Sequence, residues 1–265
     1  MATPVFETIE VSAEGPRGEI ALNRPAKLNP LSPHTLRELA RAAAWLDSLP
    51  ELKVVVVRGR GRAFSAGADL AAFGGAQALG EGASAWQVRV EADAGRAMAD
   101  ALERMAVVTI ARIQGHCVGG GLVLACACDL RVAADDARFS IPEVDLGIPL
   151  AWGGIPRLVR ELGPALTKEL VMTCRPFGAE EALRAGFLNR VVGPGDLDAA
   201  VEELVASLAG KPRLALLSTK RHANAVTAQM VGTDRSWADA DGLLAASADP
   251  EGREAAARYL RHLGN

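Results

Sequence analysis

The stretch Ile113–Leu130, IQGHCVGGGLVLACACDL, places three consecutive glycines, Gly119 to Gly121, between two runs that read as buried. Glycine loses more backbone entropy on folding than any other residue, so three in a row are costly inside a regular element. Such a run fits a place where the backbone itself must be approached closely, by another part of the fold or by a ligand. The rest of the chain has to bring buried structure up to this point from both sides.

The flanking patterns do so. FETIEVSAEGPRGEIALNRP alternates and predicts a hairpin turning at Gly15-Pro16. SPHTLRELARAAAWLDS carries Leu36, Leu39, Ala43 and Leu46 at helical spacing, with Ser32 as N-cap and Pro33 in the first helical position. LKVVVVRG and VVTIARIQG are continuous apolar, β-branched runs, which suit strands covered on both faces. The Gly- and Ala-rich FGGAQALGEGAS reads as a mobile stretch, and a single helix is expected over about 86–105. Strands and helices alternate to about residue 192, and from GDLDAAVEELVASLAG onward the pattern is helical only. The expected division is an α/β core at 1–195 and a helical C-terminal appendage at 196–265.

Hydrophobic residues make up 49% of the 265, enough for a sizeable core, and a net charge of −3 argues against a nucleic-acid partner. Cys117, Cys126, Cys128 and Cys174 form no C-x-x-C pair, and the first three sit among Val, Leu and Ala. They read as small buried hydrophobes rather than metal ligands. MATPVFETIEV has no basic segment or apolar run of a signal peptide. No stretch reaches the ~18 apolar residues of a membrane span. A cytoplasmic protein without metal or membrane partner is expected.

Two glycine-rich loops follow strands, so nucleotide binding has to be tested. After VVVV comes Gly59-Arg60-Gly61-Arg62-Ala63-Phe64, and a dinucleotide fingerprint needs Gly or Ala where Phe64 stands. The triplet lacks that spacing too, and lacks the Lys-Ser/Thr of a phosphate loop. Two readings remain. The triplet opens a helix whose unpaired N–H groups, with a second exposed turn in FSAGADL, form an oxyanion hole. Alternatively, both sites are simply tight helix–strand packing.

Taken together, IALNRPAKLNPLS, GRGRAFSAGADL, IQGHCVGGGLVLACACDLRVA and FSIPEVDLGIPLAWGGIPRL resemble the crotonase (enoyl-CoA hydratase/isomerase) superfamily. TKELVMTCRPFGAEEALRAGFLNRVV continues the likeness, which covers residues 5 to about 192 in order. The resemblance implies a spiral of ββα units, with C-terminal helices that assemble a homotrimer or a dimer of trimers. It implies an acyl-CoA thioester as substrate, with coenzyme A entering as part of that substrate and no other cofactor. The family's oxyanion donors fall on the N–H groups of Ala68 and Gly120. Coenzyme A in such proteins lies along the segment matching Ser65, Ala66, Ala68, Asp69 and Leu70, and near Lys27 and Leu28.

The carboxylates depart from the hydratase pattern. Hydratases use two glutamates; the second matches Glu143 in SIPEVDLG, but the first falls on Val123. A further carboxylate used by dienoyl isomerases and hydroxyacyl-CoA hydrolases falls near Ala151 and is also absent. Glu143 is the single acid/base candidate, and its neighbours Ile141, Pro142 and Val144 are suited to desolvating it; a surface-loop carboxylate is the competing reading. Trp152 is expected to shape the acyl pocket or simply to pack. His116 reads as structural, and His34, His222 and His262 as helix-surface residues. These features imply an enolate-forming enzyme that favours isomerisation over hydration. The rivals are thioester hydrolysis, decarboxylation, or an acyl-CoA binder whose chemistry has lapsed. A Ser–His–Asp peptidase is disfavoured because no serine stands beside the triplet.

Overall fold

The computed structural model describes residues 4–72 and 83–263, the side chains of 262 and 263 excepted. Most of FGGAQALGEGAS lies outside the described residues, as does the side chain of His262.

The predicted hairpin forms from β1 (Ile9–Glu14) and β2 (Arg17–Leu22), antiparallel, with Gly15 left-handed at φ +53°. A six-stranded sheet grows from it by parallel addition of β3 (Val54–Gly59), β4 (Val108–Ile113), β6 (Leu130–Ala134) and β9 (Arg190–Val192), in the order β1-β2-β3-β4-β6-β9. A smaller sheet holds β5 (His116–Val118), β7 (Arg138–Ser140) and β8 (Phe177–Gly178). In the middle of the chain, one strand of each sheet precedes each helix. β4 and β5 lead to α4 (Gly120–Cys126), and β6 and β7 lead to α5 (Gly154–Thr173), which is the expected ββα spiral.

The continuous valine run is explained by burial on both faces. Val55 and Val57 enter the main core with Leu36, Leu39 and Leu46 of α1 (Pro33–Asp47), whose N-cap is Ser32 as expected. Val54 and Val56 face the opposite way, with Ile110 and Val132, against Val201 and Val205 of α7 (Leu197–Ala209).

Two expectations change. Over 86–105 there are two helices, α2 (Ala85–Ala92) and α3 (Ala94–Glu103), meeting at Asp93. Two residues beyond the break, a Cβ on Gly95 would collide with the indole of Trp152. The boundary at 195/196 is likewise not a packing boundary. α7 covers one face of the large sheet, α8 (Arg213–Met230) follows it, and α9 (Asp239–Ala248) and α10 (Pro250–Leu263) fold back over the core. At that return the two backbones nearly touch. A Cβ on Gly147, which is left-handed at φ +71°, would collide with Gly252.

Candidate active site

The smaller sheet brings the two expected N–H donors together. Ser65 and Cys117 form an isolated parallel bridge, with Ser65 N–H donating to His116 O at 3.0 Å and Val118 N–H to Ser65 O at 3.0 Å. Three residues further along each chain lie Ala68 and Gly120. Neither N–H donates to another described residue, and both residues line one cavity of about 490 Å³.

Each glycine of the triplet has its own steric reason. Gly119 is left-handed at φ +49°, and a Cβ there would collide with Glu143 Oε1. A Cβ on Gly120 would strike the Trp152 ring, and one on Gly121 would lie 2.7 Å from Ser65 Cβ. The close-packing reading of the triplet thus holds at all three positions, and the groups packed so closely include Glu143 and Trp152.

Glu143 follows β7 in a turn whose form is set by Ile148 N–H and Leu146 N–H, which donate to its carbonyl at 3.0 and 3.1 Å. Its Oε2 is buried and has no hydrogen-bond partner, and the side chain lines the cavity. Burial pushes the carboxyl up from its ordinary 4.5 to about 7, opposed only by a hydrogen bond from its own backbone N–H. A surface-loop carboxylate would show neither property. Of the described side-chain atoms, few others are both buried and unpartnered, and a carboxylate oxygen in that condition is the one most suited to accepting a proton.

Trp152 lines the same cavity and sits on Gly120 in a left-handed conformation at φ +62°, uncommon for a bulky residue. Its carbonyl accepts from Arg157 Nη1 at 3.4 Å. Arg157 is wholly buried and paired with Asp100 at 2.9 Å and Glu103 at 2.5 Å. Reading the sequence missed this anchor, although an arginine inside the apolar run AWGGIPRLV was its visible trace.

The remaining expected residues divide. Ala66 N–H donates to Leu28 O at 2.8 Å, and Asp69 N–H to Leu31 O at 3.0 Å, so the 27–31 and 65–70 stretches lie side by side. Lys27 is exposed beside them, and Leu70 lines the cavity. The hydroxyl of Ser65 is committed inside the fold, donating to Asn29 O at 2.8 Å and accepting from Gly67 N–H at 3.1 Å. Asp69 is held by Arg24 at 2.7 Å. Val123 does not reach the cavity. It is fully buried against the start of α5, where a Cβ on Gly154 would lie 2.9 Å from Val123 Cγ2. His116 is exposed at the strand end and does not line the cavity; His34 and His222 lie on helix surfaces. All four cysteines are buried, and burial pushes Cys126 and Cys128 up to about 12. They behave as apolar packing groups.

Two sets of lining residues were not foreseen. Glu91 of α2 adds a second carboxylate, but Arg37 holds it at 2.6 Å. Leu243 and Leu244 of α9, with Ala256 and Leu260 of α10, close the far side with hydrocarbon. Ala151 adds an apolar surface where a further carboxylate was absent from the sequence.

The family model described as enoyl-CoA hydratase/isomerase matches residues 17–262. The chain is 34% identical over 248 residues to a crotonyl-CoA hydratase of Syntrophomonas wolfei, covering 92% of each chain. It is 33% identical to the peroxisomal Delta(3,5)-Delta(2,4)-dienoyl-CoA isomerase of Arabidopsis thaliana, covering 83% of this chain and 82% of that one. The crystal structure of an enoyl-CoA hydratase from Bacillus anthracis superposes with a TM-score of 0.76 at 30% identity, over 90% of this chain and 91% of that one. With its ββα spiral and a match running nearly end to end, this chain belongs to the enoyl-CoA hydratase/isomerase family of the crotonase superfamily.

Proposed function

We propose that this acyl-CoA enzyme forms a thioester enolate with Glu143 as its single acid/base, and that it moves a double bond within an enoyl-CoA more readily than it adds water. The observation that carries this reading is the buried Glu143 carboxyl, its Oε2 without a partner and its pKa pushed up to about 7, in one cavity with two unengaged N–H groups. The Glu143 carboxylate takes a proton from carbon 2 of a 3-enoyl thioester. The electron pair moves onto the thioester oxygen, where the Ala68 and Gly120 N–H groups stabilise the charge. The protonated Glu143 then returns the proton at carbon 4, leaving the double bond between carbons 2 and 3. A base with a pKa near the working pH is suited to both halves of that transfer.

Hydration asks for a group to orient water as well as one to deliver the proton. Glu91 is bound to Arg37, and the Val123 position offers hydrocarbon enclosed in the core. The relative named a crotonyl-CoA hydratase keeps slow hydration by Glu143 alone as the second reading. The acyl tail lies against the leucines of α9 and α10, and the coenzyme A portion along Lys27, Leu28 and the 65–70 segment. In this reading the chain assembles as a homotrimer or dimer of trimers, with exposed Leu214, Val226 and Met230 of α8 as the surface to test by sedimentation.

The deciding experiment supplies matched 2-enoyl- and 3-enoyl-CoAs and follows hydration and isomerisation separately. Isomerisation is expected to dominate; dominant hydration overturns the preference. Tight acyl-CoA binding with no proton exchange at carbon 2 overturns the enzyme mechanism altogether.

A further inference from the structure

The C-terminal helices touch the oxyanion hole by a route other than the cavity wall. Asp239, the first residue of α9, accepts a hydrogen bond from Gly153 N–H through Oδ2 at 2.7 Å. Gly153 and Trp152 are both left-handed, at φ +69° and +62°. Consecutive left-handed residues, one of them a tryptophan, persist only where surrounding contacts determine them. On one side Arg157 Nη1 reaches both carbonyls of the pair, at 3.4 and 3.2 Å. On the other, Asp239 holds the N–H. The turn so fixed lays the Trp152 ring on Gly120, which carries one of the two oxyanion N–H groups. Arg89 of α2 pairs with Asp241 of α9 at 3.0 Å and donates to the carbonyl of Trp237, two residues before α9, at 2.7 Å, so the start of α9 is anchored where Asp239 acts.

From this chain of contacts we infer that Asp239 is a positioning residue for the oxyanion hole, setting the Gly120 N–H through the Gly153–Trp152 turn. The inference rests on the functional reading above for what Gly120 does, and on geometry alone for how Asp239 reaches it. Asp239 touches no reacting atom. Its effect passes through the tryptophan, so it should alter turnover more than substrate affinity.

The test uses the full chain as wild type, Asp239→Ala and Asp239→Asn, with circular dichroism confirming the fold. Asparagine keeps an oxygen able to accept from Gly153, and alanine keeps none. For a 3-enoyl-CoA, kcat in the alanine variant is expected to fall on the order of 10- to 10²-fold, the size of a misplacement near 1 Å. KM should change far less, and the asparagine variant should recover most of the loss. Without substrate, the amide resonance of Gly120 and the indole resonance of Trp152 should move in the alanine variant and return in the asparagine variant. In a Gly120→Ala background, where the ring is already displaced, Asp239→Ala should add little further loss. Asp239→Ser, too short to reach Gly153, replaces the alanine variant should that one not fold. Unmoved resonances in a folded alanine or serine variant, or moved resonances with unchanged kcat, overturn the inference. If the wild type turns over no enoyl-CoA, the functional reading fails, and the resonances still decide whether Asp239 sets Gly120.

Discussion

Beneath α8 a cavity of about 590 Å³ is lined by charges that are mostly paired. Lys220 Nζ lies 2.8 Å from Asp129 and donates to Val107 O at 2.9 Å, and Arg160 pairs with Glu103. The cavity under α9 and α10 differs in which groups lack partners: a buried carboxylate oxygen and two backbone N–H groups, whereas in the cavity under α8 it is the Nε of Arg157, a guanidinium whose other nitrogens are paired. Satisfied polar groups stabilise a fold, whereas unsatisfied ones cost free energy and persist where a ligand or reaction uses them. The contrast predicts that substitutions in the smaller cavity change activity first, and those in the larger one change stability first.

The largest effect is expected at Glu143. Glu143→Gln retains the shape but removes the base, so proton exchange at carbon 2 should fall by at least about 10²–10⁴-fold. In the wild type, kcat/KM should rise with pH through about 7 as the carboxylate forms. Stability should run the other way. Because the folded pKa is raised above the unfolded one, the folded state holds its proton longer. The stability present below pH 4.5 is therefore lost as pH rises through about 7. The shift is worth on the order of 3 kcal/mol, so Glu143→Gln should melt higher than wild type above pH 7 while being inactive. A variant that is inactive but not stabilised would mean the carboxyl is not desolvated.

Gly120→Ala comes next. The N–H survives, but the new Cβ displaces Trp152. Turnover should drop on the order of 10²-fold with acyl-CoA binding retained; unchanged turnover would separate the tryptophan from the oxyanion hole.

For the larger cavity, Lys220→Met leaves Asp129 with only its contacts from Thr109, at 2.7 and 2.9 Å. Removing one partner of a buried pair costs about 3–5 kcal/mol, and the partial exposure of Asp129 reduces that here to about 1–3 kcal/mol. Urea unfolding should register the loss while kcat stays near wild type. A large fall in kcat would make the two cavities functionally continuous.

The features legible in the sequence were those written in short stretches. The hairpin turn, the Ser32 cap, the two-faced valine strand and the Gly119–Gly121 and Glu143 motifs each depend on neighbours within a few residues. What the sequence hid was set by contacts between distant segments. The break at Asp93 lies beside the place where Trp152, far along the chain, meets Gly95. Leu243, Leu244, Ala256 and Leu260 look like any apolar helix stripe until α9 and α10 are folded over the site. Val123 shows the opposite failure. The motif aligns it with a reacting position, but an uncharged side chain packs into the core there.

The smallest expected effect concerns Glu91, the carboxylate that shares a cavity wall with Glu143. Arg37 supplies its counter-charge, and both side chains reach solvent, at 53% and 25% exposure for Arg37 and Glu91. An exposed pair of this kind is worth up to about 1 kcal/mol, and its charge is already compensated before substrate arrives. Glu91→Gln should therefore alter kcat by about fivefold at most, the factor that such an energy allows. The ratio of hydration to isomerisation should not move, because a carboxylate tied to a guanidinium is a poor base. Measuring that ratio for both glutamine variants separates the roles of the two carboxylates that share the cavity. If Glu91→Gln selectively abolished hydration, Glu91 would be the second carboxylate of a two-residue hydratase, and unpaired burial would no longer mark the only reacting acid.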